Sequence, residues 1–118
     1  EFEAATNLLR QQKPKLALEA YTGFVVRHPE HSLVASAQLQ RARCFVALDD
    51  LPAAEAQLEG VLATHPDSSR VPDVLLELGQ VQQKMGAHAR AQASFERLRR
   101  EFPKSEAARK TPRTERSS

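Results

Sequence analysis

The chain has 118 residues, of which 41% are hydrophobic and 27% are charged, with a formal net charge of +2. This length fits one soluble domain or a short repeat array and excludes two ordinary globular domains. No run approaches the roughly 18 consecutive apolar residues of a transmembrane helix, so we expect no membrane-spanning segment. The single cysteine, Cys44, excludes an internal disulfide and a multi-cysteine metal site.

Seven segments with helical periodicity follow one another along the chain. In order, we predict helices at about 1–12, 15–28, 33–48, 52–65, 70–85 and 88–102, and a short helix near 105–110. Turn residues lie between the two helices of each successive pair. In the third pair, Gly86 can adopt the left-handed conformation that ends a helix. Hydroxyl side chains after the longer breaks are the predicted N-caps: Ser32, Ser68 or Ser69, and Ser105. The basic tail 111–118 is predicted to be disordered.

Residues of matching character recur every 37 positions. The four sets are Ala17, Ala54 and Ala91; Tyr21, Leu58 and Phe95; Phe24, Val61 and Leu98; and Pro29, Pro66 and Pro103. A small residue lets two helices approach, bulky residues four and seven positions later share its face, and proline ends the helix. The pattern therefore predicts three helical hairpins, in units of about 1–31, 32–68 and 69–105, within a repeat domain spanning 1–110.

The small residues Ala5, Ala42 and Gly79, also 37 positions apart, complete a pattern that resembles the tetratricopeptide repeat, in which the eighth position of the motif is small. The resemblance implies an all-α fold: a right-handed superhelical array of three hairpins with a short C-terminal capping helix. It also implies a non-catalytic scaffold or adaptor that binds a protein or peptide, with no small-molecule substrate and no cofactor.

A narrower resemblance rests on the 37-residue unit, on the segment 66–72, and on Phe102-Pro103-Lys104-Ser105 followed by two alanines. These features are similar to the repeats of the Tol-Pal system protein YbgF (CpoB) family. That resemblance implies a periplasmic protein of the bacterial cell envelope that binds TolA and coordinates envelope constriction with cell-wall synthesis during cell division.

Two alternatives remain open from the sequence. One is a cytoplasmic regulatory or assembly module of a larger protein, since the chain begins with Glu1 rather than Met, which we interpret as processing or excision. The other is an outer-membrane assembly lipoprotein or a pilotin, because both use similar repeats. The oligomeric state is open under all three hypotheses.

Stacked hairpins leave a concave surface lined mainly by the first helix of each unit, where partner segments are usually held. Helical phase predicts that the following residues face this surface: Thr6, Leu9, Arg10, Gln40, Arg43, Ala47, Asp73, Glu77, Gln80, Gln83 and Lys84. Repeats that clamp a terminal carboxylate carry cations or Asn at positions that here include Glu3, Gln40 and Glu77. We therefore do not expect that clamp.

No catalytic or metal site is expected. His28, His31 and His65 flank helix-ending prolines without a companion carboxylate or thiolate cluster at ligand spacing, and Cys44 is expected to be buried as a small apolar residue. The C-terminal third is basic, with nine Lys or Arg against four Asp or Glu in residues 86–118. Because it lacks interleaved aromatic residues and any nucleic-acid motif, we do not expect nucleic-acid binding.

Overall fold

The computed structural model describes residues 1–112. Seven α-helices and no strand occur in this part of the chain. The helices are α1 (Phe2–Arg10), α2 (Pro14–Arg27), α3 (Val34–Ala47), α4 (Leu51–Thr64), α5 (Val71–Lys84), α6 (His88–Glu101) and α7 (Glu106–Arg109). The all-α prediction is confirmed, and the helices form three hairpins followed by a short terminal helix.

Each helix packs against the next along the chain, and α1 also contacts α3. The short α7 contacts both α5 and α6 and buries Ala107 and Ala108. The chain is elongated, with extents of 48 × 28 × 21 Å. Neighbour-to-neighbour packing of this kind is the pattern of a helical repeat array, in which each hairpin buries its apolar faces against the adjoining ones.

The turn inside each hairpin has one residue in the left-handed conformation. These residues are Gln12, Asp49 and Gly86, with φ of 63°, 62° and 79°. They lie 37 positions apart. The predicted left-handed conformation of Gly86 is confirmed. Because a side chain makes a left-handed φ unfavourable, the first two hairpins carry backbone strain that the third avoids by using glycine.

In the second helix of each hairpin, a single C-cap residue lies between the last helical residue and a proline. The terminating residues His28, His65 and Phe102 have almost identical φ angles of −132°, −132° and −133°. Proline disfavours the helical conformation in the residue that precedes it, so the three prolines end α2, α4 and α6 at equivalent places, as the sequence predicts.

The predicted N-caps are right in one case of three. Ser105 caps α7 by accepting a hydrogen bond from the backbone N–H of Ala108 at 3.0 Å. Ser32 and Ser68 or Ser69 are wrong as caps, because α3 and α5 begin later, at N-caps without a side-chain hydrogen bond. Ser68 instead accepts from the backbone N–H of Arg70 at 3.0 Å, and so stabilises the turn before α5 rather than its first turn.

Three apolar clusters form the core, and small residues set their spacing. Ala17, Ala54 and Ala91 are at most 1% exposed, as the predicted close helix approach requires. In the third hairpin the ring of Phe95 lies directly over Gly79, so α5 and α6 approach closely there. Cys44 is fully buried in the cluster formed by α1, α2 and α3, which confirms its expected burial.

The predicted disorder of 111–118 falls mainly on residues 113–118, which lie outside the described residues. Thr111, the first residue of the predicted tail 111–118, accepts a hydrogen bond from the Arg99 side chain at 3.0 Å and donates one to the carbonyl of Ala108 at 2.8 Å. Within residues 1–112, none of the helices has the length and apolar character needed to cross a membrane.

Candidate functional site

The residues predicted to face a partner lie on α1, α3 and α5, and each is partly or fully exposed. Arg10, Ala47, Gln80, Gln83 and Lys84 are exposed; Thr6, Leu9, Gln40, Arg43, Asp73 and Glu77 are half-buried. The surface formed by these three helices is called the α1–α3–α5 face below. Two small cavities indent it and bring several of the predicted residues together.

The first cavity has a volume of about 110 Å³ and lies between α1, α3 and the residue before α5. Its lining consists of Phe2, Thr6, Ser36, Leu39, Gln40, Arg43 and Arg70. The apolar rings and chains of Phe2 and Leu39 are surrounded by hydroxyl, amide and guanidinium groups. This cavity can therefore take a side chain that has both an apolar stem and a polar end.

The second cavity also measures about 110 Å³ and lies between α3 and α5. It is lined by Arg43, Val46, Glu77, Gln80, Val81 and Lys84. Arg43 lines both cavities, so its side chain is the wall that they share. The two are called the paired cavities below.

Arg43 connects the second and third hairpins through an ion pair with Glu77. Its Nη1 also donates a hydrogen bond to Oε1 of Gln40 at 2.9 Å. Glu77 is only 20% exposed at its side chain and Arg43 is 41% exposed, so solvent screens this pair less than a fully exposed pair. The contact fixes the orientation of the guanidinium at the centre of the paired cavities.

Arg70 reaches the first cavity from the turn before α5. Its Nε donates to the hydroxyl of Ser36 at 3.0 Å, and its Nη1 lies 3.4 Å from Oδ2 of Asp73. Both members of this ion pair are nearly half exposed, which makes the pair weak. The bond to Ser36 is therefore the contact that aims Arg70 at the cavity.

Packing against α2 holds the α1 side of the first cavity. Thr6 donates to the carbonyl of Phe2 at 3.1 Å, and the Tyr21 hydroxyl lies 2.7 Å from the Thr6 hydroxyl. The ring of Phe2 meets that of Tyr21 edge to face at 5.6 Å. Burial raises the pKa of Tyr21 above its usual value, so the phenol is protonated and can donate to Thr6.

Some predicted residues lie on the face but outside the paired cavities: Leu9, Arg10, Ala47, Asp73 and Gln83. Leu9 packs against the core of the first hairpin instead, and Arg10 donates to Oδ1 of Asn7 at 2.7 Å. Their helical phase was sufficient to place them on the face, but phase does not specify where neighbouring side chains leave a space.

The sequence reasoning missed six lining residues: Phe2, Ser36, Leu39, Val46, Arg70 and Val81. One of them had a signal, because Val46 lies 37 positions from both Leu9 and Gln83, which were predicted. Arg70 had no such signal. It precedes α5, and its approach to the cavity depends on a hydrogen bond to Ser36 in the preceding unit.

Two wider hollows lie elsewhere on the surface. One, of about 470 Å³, is bounded by the segments 29–35 and 64–69, which include the loops before α3 and α5. The other, of about 490 Å³, is bounded by residues of α4, α5 and α6. In the second, the buried amide of Gln82 is already engaged by Glu55 at 3.0 Å and by Ser94 at 2.7 Å. Neither hollow gathers the residues predicted to meet a partner.

Cys44, His28 and His31 lie in surroundings that fit structural rather than chemical roles. Burial raises the pKa of Cys44 to about 11, so its thiol is a poor nucleophile at neutral pH. The ring of His28 is tilted against that of Phe24 and the ring of His31 meets it edge to face, each with ring centroids 5.2 Å apart. Within the described residues, no three His, Cys, Asp or Glu side chains come close enough to hold a metal ion.

Comparison with known protein families agrees with the repeat geometry. A family model described as "Tetratricopeptide repeat" matches residues 2–69, which is more than half of the chain. The chain belongs to the tetratricopeptide repeat family. A second model with the same description matches residues 73–105, so tetratricopeptide repeats account for α1 to α6 and the resemblance drawn from the 37-residue spacing is confirmed. Among curated proteins, none matches this chain.

Tetratricopeptide repeats are modules of protein–protein interaction. The chain is therefore assigned the general role of a protein-binding repeat array.

Proposed function

We propose that the chain is a non-catalytic adaptor that holds a segment of a partner protein against the α1–α3–α5 face. The observation that carries this proposal is the pair of cavities on that face, which share Arg43 as a common wall. A segment lying across α1, α3 and α5 can place one side chain in each cavity while its backbone meets the polar side chains between them.

The size of the cavities supports a peptide ligand rather than a small molecule. Each has a volume of about 110 Å³, whereas sites for drug-sized molecules usually measure about 300–1,000 Å³. One amino-acid side chain fits each cavity. The lining mixes apolar groups with amide, hydroxyl and charged groups, which suits a peptide that also needs hydrogen-bond partners.

The cellular location and the identity of the partner form a second, separate proposal. We propose that this adaptor works in the periplasm of a bacterial cell envelope and that its partner is a TolA-like protein involved in cell division. The 37-residue unit and the junctions at 66–72 and 102–105 support this resemblance to the YbgF (CpoB) family. The closing segment is consistent with it, since Ser105 caps α7 and places Ala107 and Ala108 against the last hairpin.

The paired cavities and the surface between them, called the groove below, can be tested with peptides. These would be selected against the 118-residue chain from a displayed library of random ten-residue sequences. The synthetic peptides would be titrated by fluorescence anisotropy against three forms of the protein: wild type, Arg43→Glu with Gln80→Ala, and Arg10→Glu. Arg10→Glu is the matched control, because Arg10 lies on the same face outside the paired cavities. Circular dichroism would check that all three are folded.

We expect the groove variant to lose at least about tenfold in affinity, which corresponds to about 1.4 kcal/mol, while the control binds as the wild type does. Equal binding by the wild type and the groove variant would refute the proposed site. The envelope proposal has its own test, which is titration with the purified periplasmic part of TolA. No saturable binding to it would refute that part alone.

A further inference from the structure

The two cavities differ in charge. Arg43 and Arg70 both line the first cavity, and no Asp or Glu is among its lining residues. The second cavity instead combines Glu77 with Arg43 and Lys84. A ligand group in the first cavity therefore meets two guanidinium groups directly, while their carboxylate partners Glu77 and Asp73 lie outside the lining, and this arrangement favours an anionic group over a cationic one.

Both guanidinium groups keep N–H donors that can serve a ligand. An arginine has five N–H donors, and the hydrogen bonds of Arg70 within residues 1–112 engage its Nε with Ser36 and its Nη1 with Asp73. Its Nη2 has no acceptor in that part of the chain. Arg43 directs Nε and Nη2 to Glu77 and Nη1 to Gln40, which leaves one N–H on each terminal nitrogen.

The carboxylates nearby do not compete equally with a ligand. Glu77 is held closely by Arg43 and is mostly buried, so this pair acts as a fixed part of the wall. Asp73 touches Arg70 only at 3.4 Å, with both side chains exposed. A ligand carboxylate that makes a shorter, better-aligned contact with Arg70 can displace Asp73 with little loss.

We infer that the first cavity binds the side-chain carboxylate of an Asp or Glu in the partner segment, between Arg43 and Arg70 and over Phe2 and Leu39. This inference rests on the proposed function and names the chemistry of the partner at one position. The volume of about 110 Å³ admits one such side chain. The hydroxyl of Ser36 and the amide of Gln40 add polar contacts beside the two guanidinium groups.

Two acetylated and amidated pentapeptides test this directly: Ala-Ala-Glu-Ala-Ala and its Gln counterpart. Both lack a terminal carboxylate, so they differ only in the charge of one side chain. They would be titrated against the ¹⁵N-labelled 118-residue chain, with the Nε–Hε signals of Arg43 and Arg70 as the readout. The same titrations would be made on Arg70→Gln and on Arg10→Gln, the control on the same face.

We expect the Glu peptide to shift both arginine signals in a saturable way, and to bind about tenfold or more tightly than the Gln peptide, as a charge-assisted contact should. Arg70→Gln should remove that preference and Arg10→Gln should retain it. Added salt should weaken only the Glu peptide. Equal binding of the two peptides, or no saturable shift with either, would overturn the inference.

Binding of the displayed-library peptides distinguishes a wrong carboxylate inference from a wrong proposed function. If they bind through Arg43 and Gln80 but tolerate replacement of every Asp and Glu by its amide, the groove stands and the carboxylate inference is wrong. If their binding does not depend on the groove at all, both fail. Loss of affinity on amide replacement at one position, absent in Arg70→Gln, would support both.

Discussion

Replacement of Gly79 by alanine is the sharpest test of how the third hairpin packs. A Cβ at this position would lie 2.6 Å from Cζ and 2.7 Å from Cδ1 of Phe95, well inside normal carbon–carbon contact. Phe95 is 1% exposed and packs in the cluster that includes Leu75 and Leu98. The ring therefore cannot move away without disturbing other buried side chains.

The expected size of the effect follows from two opposing terms. Alanine is better than glycine inside a helix by about 1 kcal/mol, whereas overpacking a core costs about 1–3 kcal/mol. The close approach to a buried ring places Gly79→Ala near the upper end of that range. We expect the free energy of unfolding to fall by about 1–2 kcal/mol.

Gly60 provides the matched control, because it also lies within a helix but no atom of a neighbouring element lies within 4 Å of the position that a Cβ would occupy. Gly60→Ala should therefore raise the free energy of unfolding by about 0.5–1 kcal/mol. Urea titrations followed by circular dichroism at 222 nm measure both changes. If Gly79→Ala is as stable as the wild type, the packing of Phe95 on Gly79 is refuted.

A double variant tests the same contact from the other side. The second hairpin has Ala42 and Leu58 at the positions of Gly79 and Phe95, so Gly79→Ala with Phe95→Leu copies a combination that the chain already uses. The double variant should be less destabilised than the sum of the two single variants, since the smaller side chain leaves room for the new methyl group. Additive losses would mean that the contact is not the cause.

Four further predictions concern single residues, and urea titration measures each. Asp50→Ala removes the side chain that accepts a first-turn backbone N–H of α4 at 3.3 Å, and should lower stability by about 0.5–1 kcal/mol; no change would mean that the cap is not formed. Gln12→Gly should raise stability by about 0.5–1 kcal/mol, because φ is 63° at this residue; a decrease would contradict the left-handed turn. Arg41→Leu should raise stability by about 1 kcal/mol, since Nε of Arg41 is buried without a partner among residues 1–112 and Leu78 occupies the equivalent position of the next unit. A large loss would show that the hydrogen bonds donated by its Nη1 to Oε1 of Gln38 at 2.8 Å and of Gln57 at 2.7 Å matter more. The pKa of the Cys44 thiol is raised from 9.0 to about 11 in the folded chain, so between these values the thiol ionises in the unfolded chain but stays neutral in the folded one. The free energy of unfolding should therefore fall as pH rises from 9 to 11. Cys44→Ala should lack that decline.

The repeat pattern predicted the helices well because their limits are set by local chemistry. The prolines at 29, 66 and 103 end three helices at equivalent residues. Serine gave weaker signals, because its hydroxyl can stabilise a turn as readily as a helix start. Ser68 does the former and Ser105 the latter, and the sequence shows no difference between them that decides this.

The candidate site was predictable only in part, for a related reason. Helical phase placed Thr6, Gln40 and Arg43 on one face, and the first cavity brings them together. Phase treats one helix at a time, however, and a cavity forms where side chains from different units leave space. Arg70 enters the first cavity through its bond to Ser36 in another unit, which no periodicity within α5 could indicate.

The internal repeat also separates the residues that build the fold from those that give the face its chemistry. The packing positions keep their character from unit to unit, as in Ala17, Ala54 and Ala91. The position of Thr6 on the α1–α3–α5 face does not, since its equivalents are Arg43 and Gln80. Arg70 likewise has the apolar Leu33 as its equivalent. The two arginines of the first cavity thus lie at positions where the units differ. Membership of the repeat family therefore defines the chain as a protein-binding array but does not define its ligand. The ligand depends on residues such as Arg70, and a test of Arg70 is needed to identify its chemistry.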